Sequence, residues 1–160
     1  MSHVGYEFSL IGKDQSLGDP DWLRPALEEG VTVIAAHACS YGLMFYEKFI
    51  PTFRDLCTRY LNFYADISAL THPHRLKMLL YLRHHPGLQS RLLFGTDYPL
   101  SVFHVAAWGR VGFSTLWNMI RTKNRFDRQV TVCEGLNLCF RSLGDMLQAQ
   151  RLVETTGEGS

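Results

Sequence analysis

Three stretches of the chain are apolar almost without interruption, and each stops on a polar residue: VTVIAAHAC (31–39), LNFYADIS (61–68) and RLLFGTD (91–97). Short continuous apolar runs of this kind predict strands buried on both faces. Within LMFYEKFIPTFRDLCTRY (43–60), Phe45, Phe49, Phe53 and Leu56 recur at intervals of three and four. That is the helical period, with Pro51 marking a kink or a late start. Within residues 72–90, Leu76, Leu79, Leu80 and Leu82 form a second helical stripe, closed by Pro86-Gly87. DPDWLRPALEEG (19–30) predicts a short helix capped by Asp19 or Asp21, and two further helices are expected over 113–122 and 135–150. Strands alternating with helices predict an α/β fold around a parallel sheet. One domain is expected over residues 1–150, with a disordered tail over 151–160.

Strand residues alternate between faces, so the parity of each run predicts where its polar end points. His37 shares parity with Val31, Val33 and Ala35, and Asp97 with Leu93 and Gly95. Small residues beneath both groups predict a face where strands converge, as on the inside of a barrel. Ile34, Leu92 and Phe94 are expected on the opposite side, against helices. Ligands of parallel α/β folds bind at the C-terminal ends of strands, where His37 and Asp97 both fall. Each residue also has an ordinary reading: a hydrogen-bonded structural histidine, and a turn aspartate accepting backbone N–H groups. Asp66, ending the middle run, is expected to orient a neighbour. His72 and His74 flank Pro73 at a helix start, and His84 and His85 suit a solvated helix C-terminus.

Composition narrows the function classes. With 160 residues, 46% of them hydrophobic, the chain has material for one core. A formal net charge of +1 provides no overall attraction to nucleic acid or to anionic membrane. No apolar run reaches the roughly 18 residues of a membrane span, and MSHVGYEF lacks the features of a signal peptide, so a cytoplasmic location is expected. The four cysteines (39, 57, 133 and 139) contain no C-x-x-C pair, which predicts reduced, mostly buried thiols.

Taken together, LLFGTDYP (92–99), VIAAHACSYG (33–42), NFYADIS (62–68) and SHVGYE (2–7) resemble the eighth, sixth, seventh and fifth strands of the amidohydrolase-related (amidohydrolase 2) metal-dependent hydrolases and decarboxylases. The resemblance spans roughly residues 2 to 140 and implies part of a TIM-type (β/α)8 barrel, strands five to eight with their helices. It implies metal ligation by His3, His37 and Asp97 and catalytic roles for His37 and Asp97. Asp97 would also take a proton from water, and His37 would be a ligand or a nearby acid/base. Such a donor set suits zinc, with manganese or iron possible.

The family's H-x-H on its first strand has no counterpart here; His72-Pro73-His74 follows the seventh-like strand. A whole barrel takes about 250 residues, so this chain corresponds to a half with open edges. That implies self-association or a complementing half-barrel, with metal weak or absent in the fragment. The expected partner is otherwise a small-molecule substrate, with Tyr6, Tyr41 and Tyr98 near the mouth. Two other readings are a non-catalytic truncated barrel acting only through association, and a serine hydrolase. In the latter, Ser40 in ACSYG is the nucleophile, with Asp97 and His104 as acid and base.

Overall fold

The computed structural model describes residues 1–5, 14–43 and 46–157, with side chains up to residue 151. Strands β1 (Val33–Ala35), β2 (Phe63–Asp66) and β3 (Leu92–Leu93) form a parallel sheet in chain order. Val33 pairs with Phe63, Ala35 with Ala65, and Asp66 with Leu93. Single parallel bridges lengthen the ladder at both edges, Ser2 beside Ala35 and Arg141 beside Leu93. The Ser2 N–H donates to Ile34 O at 2.8 Å, and the Ala36 N–H donates to Ser2 O at 2.9 Å.

The strands are shorter than the apolar runs that contain them. β1 stops because Ala36–Cys39 wind into a 3-10 turn with His37, Ala38 and Cys39 at φ of 53°, 50° and 58°. No strand continues through three consecutive left-handed residues.

The helices are α1 (Arg24–Glu28), α2 (Ile50–Arg59), α3 (Leu76–Arg83), α4 (Phe113–Arg121), α5 (Arg125–Gly135) and α6 (Leu143–Gly157). Pro51 sits in the first turn of α2, where a missing N–H is harmless, so the late start is realised. Phe45 lies outside the described residues. The helix expected over 135–150 is instead divided between α5 and α6. Asn137 adopts φ 56°, and Arg141 leaves the helical path to pair with Leu93. The helical period misled because Leu136 and Leu138 are buried from the connecting segment. The start of α5 carries its own signal, since the Asn124 side chain accepts the Phe126 and Asp127 N–H groups. α6 runs to Gly157, through most of the segment expected to be disordered.

The sheet has two covered faces. Val33, Ala35, Phe63, Ala65 and Leu92 belong to the main core with Phe53, Leu56, Met78 and Leu79 of α2 and α3. Ile34, Tyr64 and Leu93 form the second face, where Met146 of α6 packs. Leu92 and Leu93 therefore face as expected, but the parity assigned to β1 is reversed: Val33 and Ala35 lie toward helices. His37 does not share their direction, because the left-handed turn interrupts the two-residue alternation after Ala35.

Cys39, Cys57 and Cys133 are buried free thiols and Cys139 is exposed; burial pushes Cys57 and Cys133 up to about 12. Among the described residues, no helix is long and apolar enough to cross a membrane.

Candidate functional site

Parallel pairing aligns the strand outlets, so residues far apart in sequence meet there. Ser2 pairs beside β1 and delivers His3; the left-handed turn delivers His37; the segment after β3 delivers Asp97. Nε2 of His37 stands 3.2 Å from Nε2 of His3 and 3.7 Å from Oδ2 of Asp97. The imidazole of His37 is buried, His3 is exposed and Asp97 is 39% exposed, so the group opens to solvent on one side. A cavity of about 530 Å³ adjoins it, with Ile34, Leu93 and Phe94 as its apolar wall. That is room for a small ligand.

A second set of residues fixes His37. Nδ1 lies 2.8 Å from Ser68 Oγ and 3.1 Å from the Ser68 carbonyl. A carbonyl can only accept, and the Ser68 hydroxyl proton is already donated to Asp66 Oδ1. Nδ1 therefore carries the proton, and in the neutral ring the Nε2 lone pair faces His3 and Asp97. Asp66 Oδ1 also accepts the backbone N–H of His37 at 2.9 Å and of Ser68 at 3.0 Å. This is the orienting role its position predicts. Gly95 leaves the space Asp66 needs, because a Cβ there would stand 2.9 Å from both Cβ and Cγ of Asp66. The Gly95 carbonyl is held in turn by the buried amide of Gln129 on α5. Gly5, at φ 104°, brings the N-terminal segment against the Ser40 carbonyl, where any side chain would collide.

Backbone strain gathers here as well. His37, Ala38, Cys39 and Asp97, all non-glycine, adopt positive φ. Each costs on the order of 1–2 kcal/mol, which the surrounding hydrogen bonds and packing offset.

Burial, then the positive charge of Arg75, holds the His37 imidazole below its ordinary value, against the pull of Asp66 and Asp97. Burial lowers His72 too. A histidine that binds its proton more weakly when folded destabilises the fold as pH falls from 6.5 through the folded value. Buried Glu47 is raised, mainly by burial, and acts in the opposite sense, losing stability as pH rises above 4.5. Urea unfolding of wild type and His72→Phe isolates one contribution. Between pH 7.5 and about 5.5 the variant is expected to lose less stability than wild type.

Several expected residues lie elsewhere. Ser40 is fully buried and its hydroxyl donates to Glu47; among the described residues it has no hydrogen bond to His104. The serine-hydrolase arrangement does not form, because the turn that exposes a nucleophile in such folds here points Ser40 inward. Its neighbours are structural: Glu47 also accepts the Tyr41 N–H, and buried Arg75 donates to the Ser40 carbonyl. His72 and His74 pack edge-on to each other, and His72 against Phe103. Tyr41 packs on Tyr46 and Phe49, and Tyr98 lies toward Phe126; neither lines the 530 Å³ cavity. Tyr6 lies outside the described residues. Ser68 and Gln129 were not anticipated, and Gly95 was expected only as a small residue beneath Asp97. Only Ser68 had a local signal, the Asp-x-Ser spacing that favours a side-chain-capped turn.

For a tetrahedral ion with metal–nitrogen bonds of about 2.0–2.1 Å, two ligand atoms stand about 3.3 Å apart. The His3–His37 separation matches this, and the Asp97 oxygen is within the range of a wider ligand angle. As the side chains stand, however, no group of three or more His, Cys, Asp or Glu among the described residues has the geometry to hold a metal ion. Comparison with protein-family models, curated proteins and solved structures finds no match to this chain.

Proposed function

We propose that the chain carries a divalent-cation site at the outlets of a partial (β/α)8-type sheet, and that its chemistry is metal-dependent hydrolysis or non-oxidative decarboxylation. The observation that supports this is the meeting of His3, His37 and Asp97, from three separate outlets, at one cavity. With their side chains rearranged from where they stand, His3 and His37 would supply imidazole nitrogens and Asp97 a carboxylate oxygen, a set that suits zinc. A cation so held supplies Lewis acidity, lowering the pKa of water toward about 7 and stabilising developing negative charge.

The chain's own residues do the rest. Ser68 keeps the Nδ1 proton of His37 in place, so Nε2 is the atom that binds or exchanges a proton. Asp97, partly exposed at the mouth, would accept a proton from an attacking water. Ile34, Leu93 and Phe94 offer a water-poor wall for an apolar part of the substrate. Amides, esters, lactones and aromatic acids are all compatible with that wall.

A second reading, a non-catalytic barrel piece, has its own support. α6 packs Met146 on the face that opposing strands would need, so pairing with a complementing half would require α6 to move. Zinc titration calorimetry separates the two. The first reading expects near one equivalent per chain, with affinity falling about tenfold or more in His3→Ala and in Asp97→Asn. Binding of less than about a tenth of an equivalent supports the inert piece.

A further inference from the structure

The whole-chain charge conceals a local imbalance. Residues 98–128 contain five basic residues (Arg110, Arg121, Lys123, Arg125 and Arg128) and one acid, Asp127, a net +4 against −3 for the rest of the chain. Among the described residues, none of the five forms an ion pair with a carboxylate. Arg110, Arg125 and Arg128 instead donate to backbone carbonyls, and Arg121 stacks on Trp117 with its guanidinium 5.9 Å from the ring centroid.

The same stretch exposes large apolar side chains on one helix face. On α4, Met119 is buried in the core, yet Phe113, Trp117 and Ile120 on the adjoining arc are 81%, 49% and 43% exposed. Their spacing of four and three places them side by side, and the Phe113 and Trp117 rings stack at 6.3 Å. The core therefore uses only part of the apolar circumference of α4.

We propose that this face of α4 docks on an anionic lipid bilayer, with Phe113, Trp117 and Ile120 entering the interface and Arg121, Lys123 and Arg125 facing the headgroups. An aromatic-rich apolar stripe flanked by unneutralised basic residues is the pattern of interfacial helices. Tryptophan favours the headgroup level, and each basic residue near an anionic surface adds about fivefold to binding. Aliphatic Ile120 within the stripe suits acyl chains better than base stacking. A protein partner would have to bring acids to neutralise the rim, whereas an anionic leaflet already has them.

The test is co-sedimentation of the full chain with vesicles of phosphatidylcholine alone or mixed with phosphatidylserine. The expected result is binding to the mixed vesicles only, weakened by salt, and reduced about 25-fold in the double variant Arg121→Gln/Lys123→Gln. Phe113→Ser/Trp117→Ser should abolish it while circular dichroism stays unchanged, since both side chains are exposed. Absence of vesicle binding overturns the proposal, as does equal binding to neutral vesicles. So does concentration-dependent dimerisation, or capture of a single-stranded oligonucleotide, that the serine variant loses while vesicles are ignored.

Discussion

Asp66→Ala is expected to lower the unfolding free energy by about 3–5 kcal/mol and to release His37 from its present orientation. One carboxylate oxygen accepts the His37 N–H, the Ser68 N–H and the Ser68 hydroxyl, all in a buried region. Removing it leaves buried donors without partners, at about 1–3 kcal/mol for each that finds none. The Ser68 hydroxyl would be free to rotate and to donate to Nδ1 of His37, leaving the Ser68 carbonyl alone to favour the Nδ1-protonated ring. Nitrogen-15 imidazole shifts would report the mixed tautomer, and the urea midpoint would report the stability. Asp66→Asn keeps an acceptor oxygen and should lose only about 1–2 kcal/mol. An alanine variant as stable as wild type would show that Asp66 is not the organiser described above.

Phe53→Ala should destabilise by a similar amount, about 3–5 kcal/mol, through a different mechanism. The Phe53 ring is wholly buried between α2 and the sheet, edge-on to Phe63 at a centroid distance of 6.0 Å. Its loss removes apolar contact and leaves a cavity that the short strands have little freedom to fill. No polar group is stranded, and Phe53 does not line the cavity at the strand outlets. Zinc affinity of the folded fraction should therefore stay within about twofold of wild type, because sites without shared partners act almost independently. A large loss of affinity here would mean that core and outlets are coupled more tightly than their separate hydrogen bonds imply.

The two substitutions also mark what was readable in the sequence. Phe53 lay at helical spacing from Leu56, so both its helix and its burial followed from spacing. Asp66 was expected to support a neighbour, yet the partner could not be identified, since His37 and Ser68 reach it through a turn that local pattern does not reveal. Alanine and cysteine at positions 38 and 39 favour no left-handed conformation by themselves. Packing and the bonds to Asp66 impose it. The same turn explains why the parity of β1 was misread while that of β3 was not.

Periodicity and the order of apolar runs were enough to establish an α/β chain with parallel strands and to name His37 and Asp97 as outlet residues, whereas His3 entered only through the family resemblance of SHVGYE. Those features are local, or follow from each segment's need to bury its apolar side chains. Only the packed chain could bring Nε2 of His37 to 3.2 Å from its counterpart in His3, turn Ser40 inward, and lay α6 over the second face of the sheet. Such outcomes depend on backbone strain, hydrogen-bond partners and packing among residues more than thirty positions apart, and no single window of sequence contains them.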